Sequence, residues 1–143
     1  MDSTAWQADD DGDVCRVLIV EDNADVANML ALALRRGGHD VQTTRNGTEA
    51  IVVAASYKPH VMLVDIGLPG VDGLYVVRKI RNTDGKLLII ATTGRSSPGD
   101  IQCSREAGCD HHLVKPVDLG ALAAILNDRK SRGGCAGTFN EAR

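Results

Sequence analysis

Apolar residues in this chain follow two distinct spacings. Short unbroken runs read "CRVLIV" at residues 15–20, "VMLV" at 61–64 and "LLIIA" at 87–91, with briefer segments "HDVQTT" and "HHLV" at 39–44 and 111–114. Runs of that length, rich in β-branched residues and bounded by polar or Gly/Pro positions, predict buried strands. Between them the spacing opens to the helical period. From Asn23 onward, Val26, Met29, Leu30, Ala33 and Leu34 fall on one helix face, with Asp22 or Asn23 as N-cap and Gly37-Gly38 as the stop. A second helix is predicted from Thr48 to Tyr57, broken by Lys58-Pro59. A third runs from Leu74 to Arg81 with Leu74, Val77 and Ile80 inward. A polar helix follows over Gly99 to Ala107. After Lys115-Pro116 comes a last one with Leu119, Leu122, Ala123 and Leu126 on its inner face.

Five strands alternating with five helices imply an α/β fold, and strands apolar on both sides imply a parallel sheet covered on both faces. The chain of 143 residues suits one such unit. Its expected limits are an acidic flexible lead-in over 1–14, the folded unit over 15–130, and a Gly-rich flexible tail over 131–143.

Composition narrows the function classes. A net charge of −3 and 3% aromatic residues offer neither a phosphate-attracting field nor a base-stacking platform, so no direct nucleic-acid partner is expected. No apolar run approaches the ~20 residues that span a bilayer, and the N-terminus carries aspartates without a basic residue, unlike a secretory signal. Cys15, Cys103, Cys109 and Cys135 lack metal or CxxC spacing. Reduced thiols in a cytoplasmic protein with no membrane attachment are the expectation.

The chemistry collects at strand ends. In an open parallel sheet, ligands sit outside the carboxyl ends of the strands. There the first strand ends on Glu21-Asp22, the third on Asp65, the fourth on Thr92-Thr93 and the fifth on Lys115. Each residue alone has an ordinary reading: Asp65 as a turn or capping aspartate, Glu21 and Asp22 as helix-dipole partners, Thr93 as a β-branched strand residue, Lys115 as part of a surface turn. Together they form an oxygen-only carboxylate cluster suited to Mg²⁺, beside a hydroxyl and an ammonium. That set can accept a phosphoryl group, with Asp65 as nucleophile.

The pieces "VLIVEDN", "VMLVDIGLPGVDG", "TTG" and "LVKP" occur in order and resemble the receiver domain of two-component response regulators over about residues 15 to 130. The resemblance implies a doubly wound, flavodoxin-like sheet of five parallel strands in the order 2-1-3-4-5. It also implies Asp65 as phosphoacceptor, with Glu21, Asp22, Asp65 and the Gly67 carbonyl as Mg²⁺ ligands. Thr93 becomes the switch hydroxyl, Lys115 the phosphate-binding lysine, and the Lys115–Pro116 bond is expected to be cis. The implied partners are a sensor histidine kinase or phosphotransfer protein, and a downstream protein target on the face of helix 4, strand 5 and helix 5. No DNA-binding domain is read after residue 130, so the expected output is protein contact or onward phosphotransfer. The wording "DIGLPGVDG" also resembles receivers attached to hybrid kinases.

Two positions depart from the family pattern. His112 stands where receivers usually carry an aromatic switch residue, and an imidazole is smaller and ionises near neutrality, so a weaker or pH-sensitive readout is expected. Adjacent strand residues point to opposite faces, which argues against a His111-His112 metal site. Gly67 and Arg95 occupy the positions that influence hydrolysis of the acyl phosphate. Gly67 cannot position a water, so a long-lived phosphoprotein is expected. A Mg²⁺-dependent phosphohydrolase with an Asp nucleophile is the alternative, although Gly67 stands where such enzymes place a second aspartate. A nucleotide or flavin module would want a Gly/Ser/Thr-rich loop where this chain has "EDNADVA". A degenerate receiver that signals without phosphate is disfavoured because each reactive position is filled.

Overall fold

The computed structural model describes residues 15–67, 73–94, 98–131 and 140–141. Strands and helices alternate as β1 (Arg16–Val20), α1 (Ala24–Arg36), β2 (Asp40–Thr44), α2 (Gly47–Tyr57), β3 (Val61–Asp65), α3 (Gly73–Thr83), β4 (Leu88–Thr93), α4 (Pro98–Ala107), β5 (His111–Val114), α5 (Leu119–Ser131) and β6 (Asn140–Glu141). All pairings are parallel, and the sheet order is β2-β1-β3-β4-β5-β6. The expected five-strand order 2-1-3-4-5 is therefore present, with a short sixth strand added at the β5 edge. No described helix is long and apolar enough to cross a membrane.

The period-2 alternation of strand side chains divides the core between the two faces of the sheet. Val17, Ile19, Val61, Leu63, Leu88, Ile90 and Leu113 pack with Ala27, Leu30, Ala31 and Leu34 of α1 and with Leu122, Ile125 and Leu126 of α5. Leu18, Val20, Met62, Val64, Ile89 and Ala91 face the other way, onto Ala50 of α2, Val76, Val77 and Ile80 of α3, and Ala107 of α4. Each large aliphatic side chain buried this way stabilises the fold by roughly 1.5–3 kcal/mol.

Helix limits follow local chemistry. Asn23 caps α1 by accepting from the Val26 amide at 3.1 Å. Asn46 caps α2 by accepting from Glu49, and Lys58 closes that helix in the left-handed region. Pro98 opens α4, where a missing N–H has no helical partner to lose.

Two helices are rotated from the expected faces. In α1 the buried set is Ala27, Leu30, Ala31 and Leu34, while Met29 is 49% exposed. The alanines lie against the sheet, a closer approach than methionine would permit. In α5, Ile125 is buried, whereas Leu119 and Ala123 are exposed. At the strand ends opposite the acidic residues, Arg81 ties α3 to β4 and β5. Its guanidinium donates to the Leu87 carbonyl (2.6 Å) and the Gly108 carbonyl (2.8 Å), and pairs with Asp110 at 2.7 Å. The lead-in over 1–14, together with Pro69, Arg95 and Cys135, lies outside the described residues.

Cys15 and Cys109 are buried and Cys103 is exposed. Burial, reinforced by the Asp110 carboxylate, pushes the Cys109 thiol up to about 12. Alkylation of the native chain mapped by mass spectrometry should label Cys103 at least about 100-fold faster than Cys15 or Cys109, with the difference vanishing in denaturant.

Candidate functional site

Parallel register brings β1, β3, β4 and β5 to a common carboxyl edge. Asp65 lies beside Thr92, and Thr93 beside Val114, the residue before Lys115. Backbone bonds carry the alignment past the strands: the Ile66 amide donates to the Thr92 carbonyl at 3.0 Å, and the Lys115 amide to the Thr93 carbonyl at 2.7 Å. The Lys115–Pro116 peptide bond is cis.

Glu21 and Asp65 are 2% and 6% exposed, burials that carboxylates tolerate only with compensation. Lys115 supplies it. Its Nζ lies 3.0 Å from Glu21 Oε1 and 2.9 Å from Asp65 Oδ2. The remaining oxygens are also engaged: Asp65 Oδ1 accepts from the Gly67 amide at 2.8 Å, and Glu21 Oε2 from the Asn23 amide at 3.2 Å. Burial pushes the Glu21 carboxyl above its ordinary value, opposed by bonds from Lys115 and Asn23 and reinforced by repulsion from Asp65. Burial alone would lower the Lys115 ammonium, but its bonds to Asp65 and Glu21 outweigh that and raise it. The lysine therefore stays charged between the two carboxylates.

Asp22 is exposed, and oxygens of Glu21, Asp22 and Asp65 lie within 4.8 Å of one another. Three hard oxygen donors, one of them open to water, fit Mg²⁺, which keeps several waters and takes few protein ligands. The Thr92 and Thr93 hydroxyls differ in setting. Thr92 Oγ1 leans on the Val64 carbonyl at 3.5 Å, a weak contact, while Thr93 ends β4 at 8% exposure. Cavities of about 290 Å³ between α2 and α3 and about 240 Å³ between α1 and α5 are lined by none of these residues. The acidic group sits on an open rim.

His112 stands away from the rim, on the face of β5 turned toward α4. It is 2% exposed, and its Nδ1 lies 3.1 Å from Ser104 Oγ, a hydroxyl that is itself fully buried. Its Nε2 has no hydrogen-bond partner among the described residues. Sequence reasoning did not single out Ser104. A serine within a polar helix carries no periodic signal, and its partner lies in the next strand.

Gly73, at the start of α3, lies close against the Asp65–Ile66 backbone. A Cβ at that position would fall 2.5 Å from Ile66 Cα and 2.7 Å from the Asp65 carbonyl oxygen, both backbone atoms.

Comparison with known proteins agrees with this geometry. Residues 17–127 match the family model described as the response regulator receiver domain. The transcriptional regulatory protein PrrA of Mycobacterium leprae is 37% identical over 123 residues, 86% of this chain and 53% of that protein. AfsQ1 of Streptomyces coelicolor, also a transcriptional regulatory protein, is 36% identical over 117 residues, 82% of this chain and 52% of that one. The chain thus spans about half the length of these relatives, and their regulatory names give no support to the expectation that nucleic acid is excluded. Among solved structures, the Saccharomyces cerevisiae receiver domain of Ssk1, crystallised with the histidine phosphotransfer protein Ypd1, superposes with a TM-score of 0.78. The two are 27% identical, over 83% of this chain and 90% of that one. The receiver domain of the Pseudomonas aeruginosa sensor histidine kinase PA1611, with a magnesium ion coordinated in its active-site cleft, gives 0.75 at 29% identity, over 82% of this chain and 98% of that one.

Gly73→Ala should lower stability by roughly 1–3 kcal/mol, because a backbone atom must move to admit the methyl. A urea melt checks this. Gly85→Ala, where nothing lies within 4 Å of the added carbon, should leave the midpoint nearly unchanged.

Proposed function

The chain belongs to the response regulator receiver family of two-component signalling, and from that premise we propose that Asp65 accepts a phosphoryl group from the phosphohistidine of a sensor kinase or phosphotransfer protein. The observation that carries this reading is the bridge from Lys115 to Asp65 and Glu21 at 2.9 and 3.0 Å, within an acidic group open to solvent through Asp22. An Asp65 oxygen attacks phosphorus, the P–N bond breaks, and the donor imidazole leaves with the electron pair. Lys115 stays beside the acceptor and faces the negative charge gathered on the transferred group. Mg²⁺, when held by Glu21, Asp22, Asp65 and the Gly67 carbonyl, neutralises phosphoryl oxygens. Thr93 at the end of β4 donates to another oxygen.

An open rim suits a donor carried on a second protein better than an enclosed small substrate. Gly67 contributes its amide to Asp65 but no side chain, which favours a retained phosphoryl group over multiple turnover. The retained charge biases a two-state equilibrium that is read by a downstream protein on the α4–β5–α5 face. His112 takes the switch position on that face, its ring held against α4 by Ser104.

Incubation with acetyl phosphate and Mg²⁺, followed by intact-mass measurement, should show one added phosphoryl group on the native chain and none on Asp65→Asn. The adduct should persist well beyond seconds after the donor is removed. Phosphate release without an adduct would instead identify the phosphohydrolase.

Ser104→Ala leaves both imidazole nitrogens without a hydrogen-bond partner in a buried setting. It should destabilise the fold by about 1–3 kcal/mol, while the rate of Asp65 phosphorylation by acetyl phosphate stays within about twofold. Denaturant titration and the same mass measurement check the two halves.

A further inference from the structure

β5 follows β4 in the sheet and, without β6, would be its last strand. An open edge strand presents backbone donors and acceptors on which another chain can build. The Lys115 amide, just after β5, donates across to the Thr93 carbonyl of β4 at 2.7 Å, and amides alternate sides along a strand, so those of His112 and Val114 face away from β4. The chain itself comes back to that side. After β5, helix α5 runs Leu119–Ser131, about 20 Å at 1.5 Å per residue, and residues 132–139 lead into β6. There Asn140 pairs with His111 and Glu141 with His112, both in parallel register. A strand, a helix and a second parallel strand beside the first make the crossover unit of parallel sheets. The β6 pairing is thus continuous with the fold's own topology.

We propose that the outer edge of β5 is a strand-docking site whose resident occupant is the chain's own Asn140–Glu141 segment, and that this segment keeps a second copy of the chain from adding there. The rim chemistry plays no part in the inference, which stands whether or not Asp65 is phosphorylated. Three features carry it. The edge is already occupied in register. The occupying strand is two residues long and polar in sequence, the kind of short strand with which natural sheets blunt an edge. Exposed apolar side chains flank the site, with Val114 at 38% and Leu119 at 42% exposure. Two copies related by a two-fold axis can pair such edges isologously once the resident segment is displaced.

The test uses the full chain carrying Asn140→Pro and Glu141→Pro together, since proline removes the backbone donors and is poorly tolerated in a paired strand. Hydrogen exchange read residue by residue should quicken at the His112 amide by about tenfold, with the Val17–Val20 amides unchanged. Sedimentation of the same variant should reveal a concentration-dependent dimer that the native chain does not form. Unchanged exchange at His112 would overturn the proposal, as would a rise that spreads equally to Val17–Val20. A variant with fast local exchange that stays monomeric would also overturn it, because the edge would then be covered without being a docking site.

Discussion

The structure turns on one ammonium held between two buried carboxylates. Three strands deliver Glu21, Asp65 and Lys115 to one edge, and the apolar packing that makes the strands stable also removes those groups from water. A buried carboxylate without a partner would cost several kcal/mol or take up a proton. Lys115 reduces that penalty without abolishing it, since Glu21 remains raised above its ordinary range. A carboxyl raised on folding opposes the fold once pH passes its unfolded value near 4.5, because the folded state then holds protons that the unfolded state has released. Lys115 has the opposite sign. Its raised value supports the fold below the ordinary lysine range, and that support is lost only as pH rises through the raised value. At neutral pH the lysine therefore steadies a cluster that Glu21 leaves under tension. A divalent cation is the kind of ligand that would relieve it.

Register is what makes the cluster exact enough to matter. The β3–β4 and β4–β5 ladders each place a candidate site residue, Asp65 or Thr93, at its strand's last position. A shift of one residue would turn every side chain of a strand to the other face. The close approach of Gly73 to the backbone of Asp65 and Ile66 sets the start of α3 against the end of β3. The Arg81 network performs a comparable task at the other end of the sheet, tying α3 to the starts of β4 and β5.

The sequence made the rim legible because its residues terminate apolar runs, and a strand's end is visible without knowing its neighbours. Asp65, Glu21, Asp22, Thr93 and Lys115 could all be placed at one edge from topology alone. The inner faces of α1 and α5 were less legible. Ala27 and Ala31 look weaker than Met29 on any hydropathy pattern, yet close approach to the sheet selects the small side chains. The Arg81–Asp110 pair and the Ser104–His112 bond had no local signature, since each joins residues whose adjacency exists only after the helices dock. β6 was hidden for a different reason. Two polar residues in a Gly-rich tail do not form a strand by propensity, and the edge of β5 is what organises them.

His112 links these observations. On its side-chain face, Ser104 of α4 holds one ring nitrogen, and the other has no described partner. In the backbone ladders it pairs with Ala91 of β4 and with Glu141 of β6. One strand residue is thereby tied to α4, to the strand that ends on Thr93, and to the tail. A buried nitrogen without a partner costs about 1–3 kcal/mol, so any arrangement of α4 and β5 that satisfied it would gain that amount over the present one. An energy difference of that size is comparable to those that separate the two states of typical coupled sites. We propose that a small displacement of Thr93 tips this balance, because β4 and β5 share their ladder. On that proposal, a histidine locked to α4 serves where a mobile aromatic ring serves in other receivers, provided the lock is no stronger than the charge that must break it.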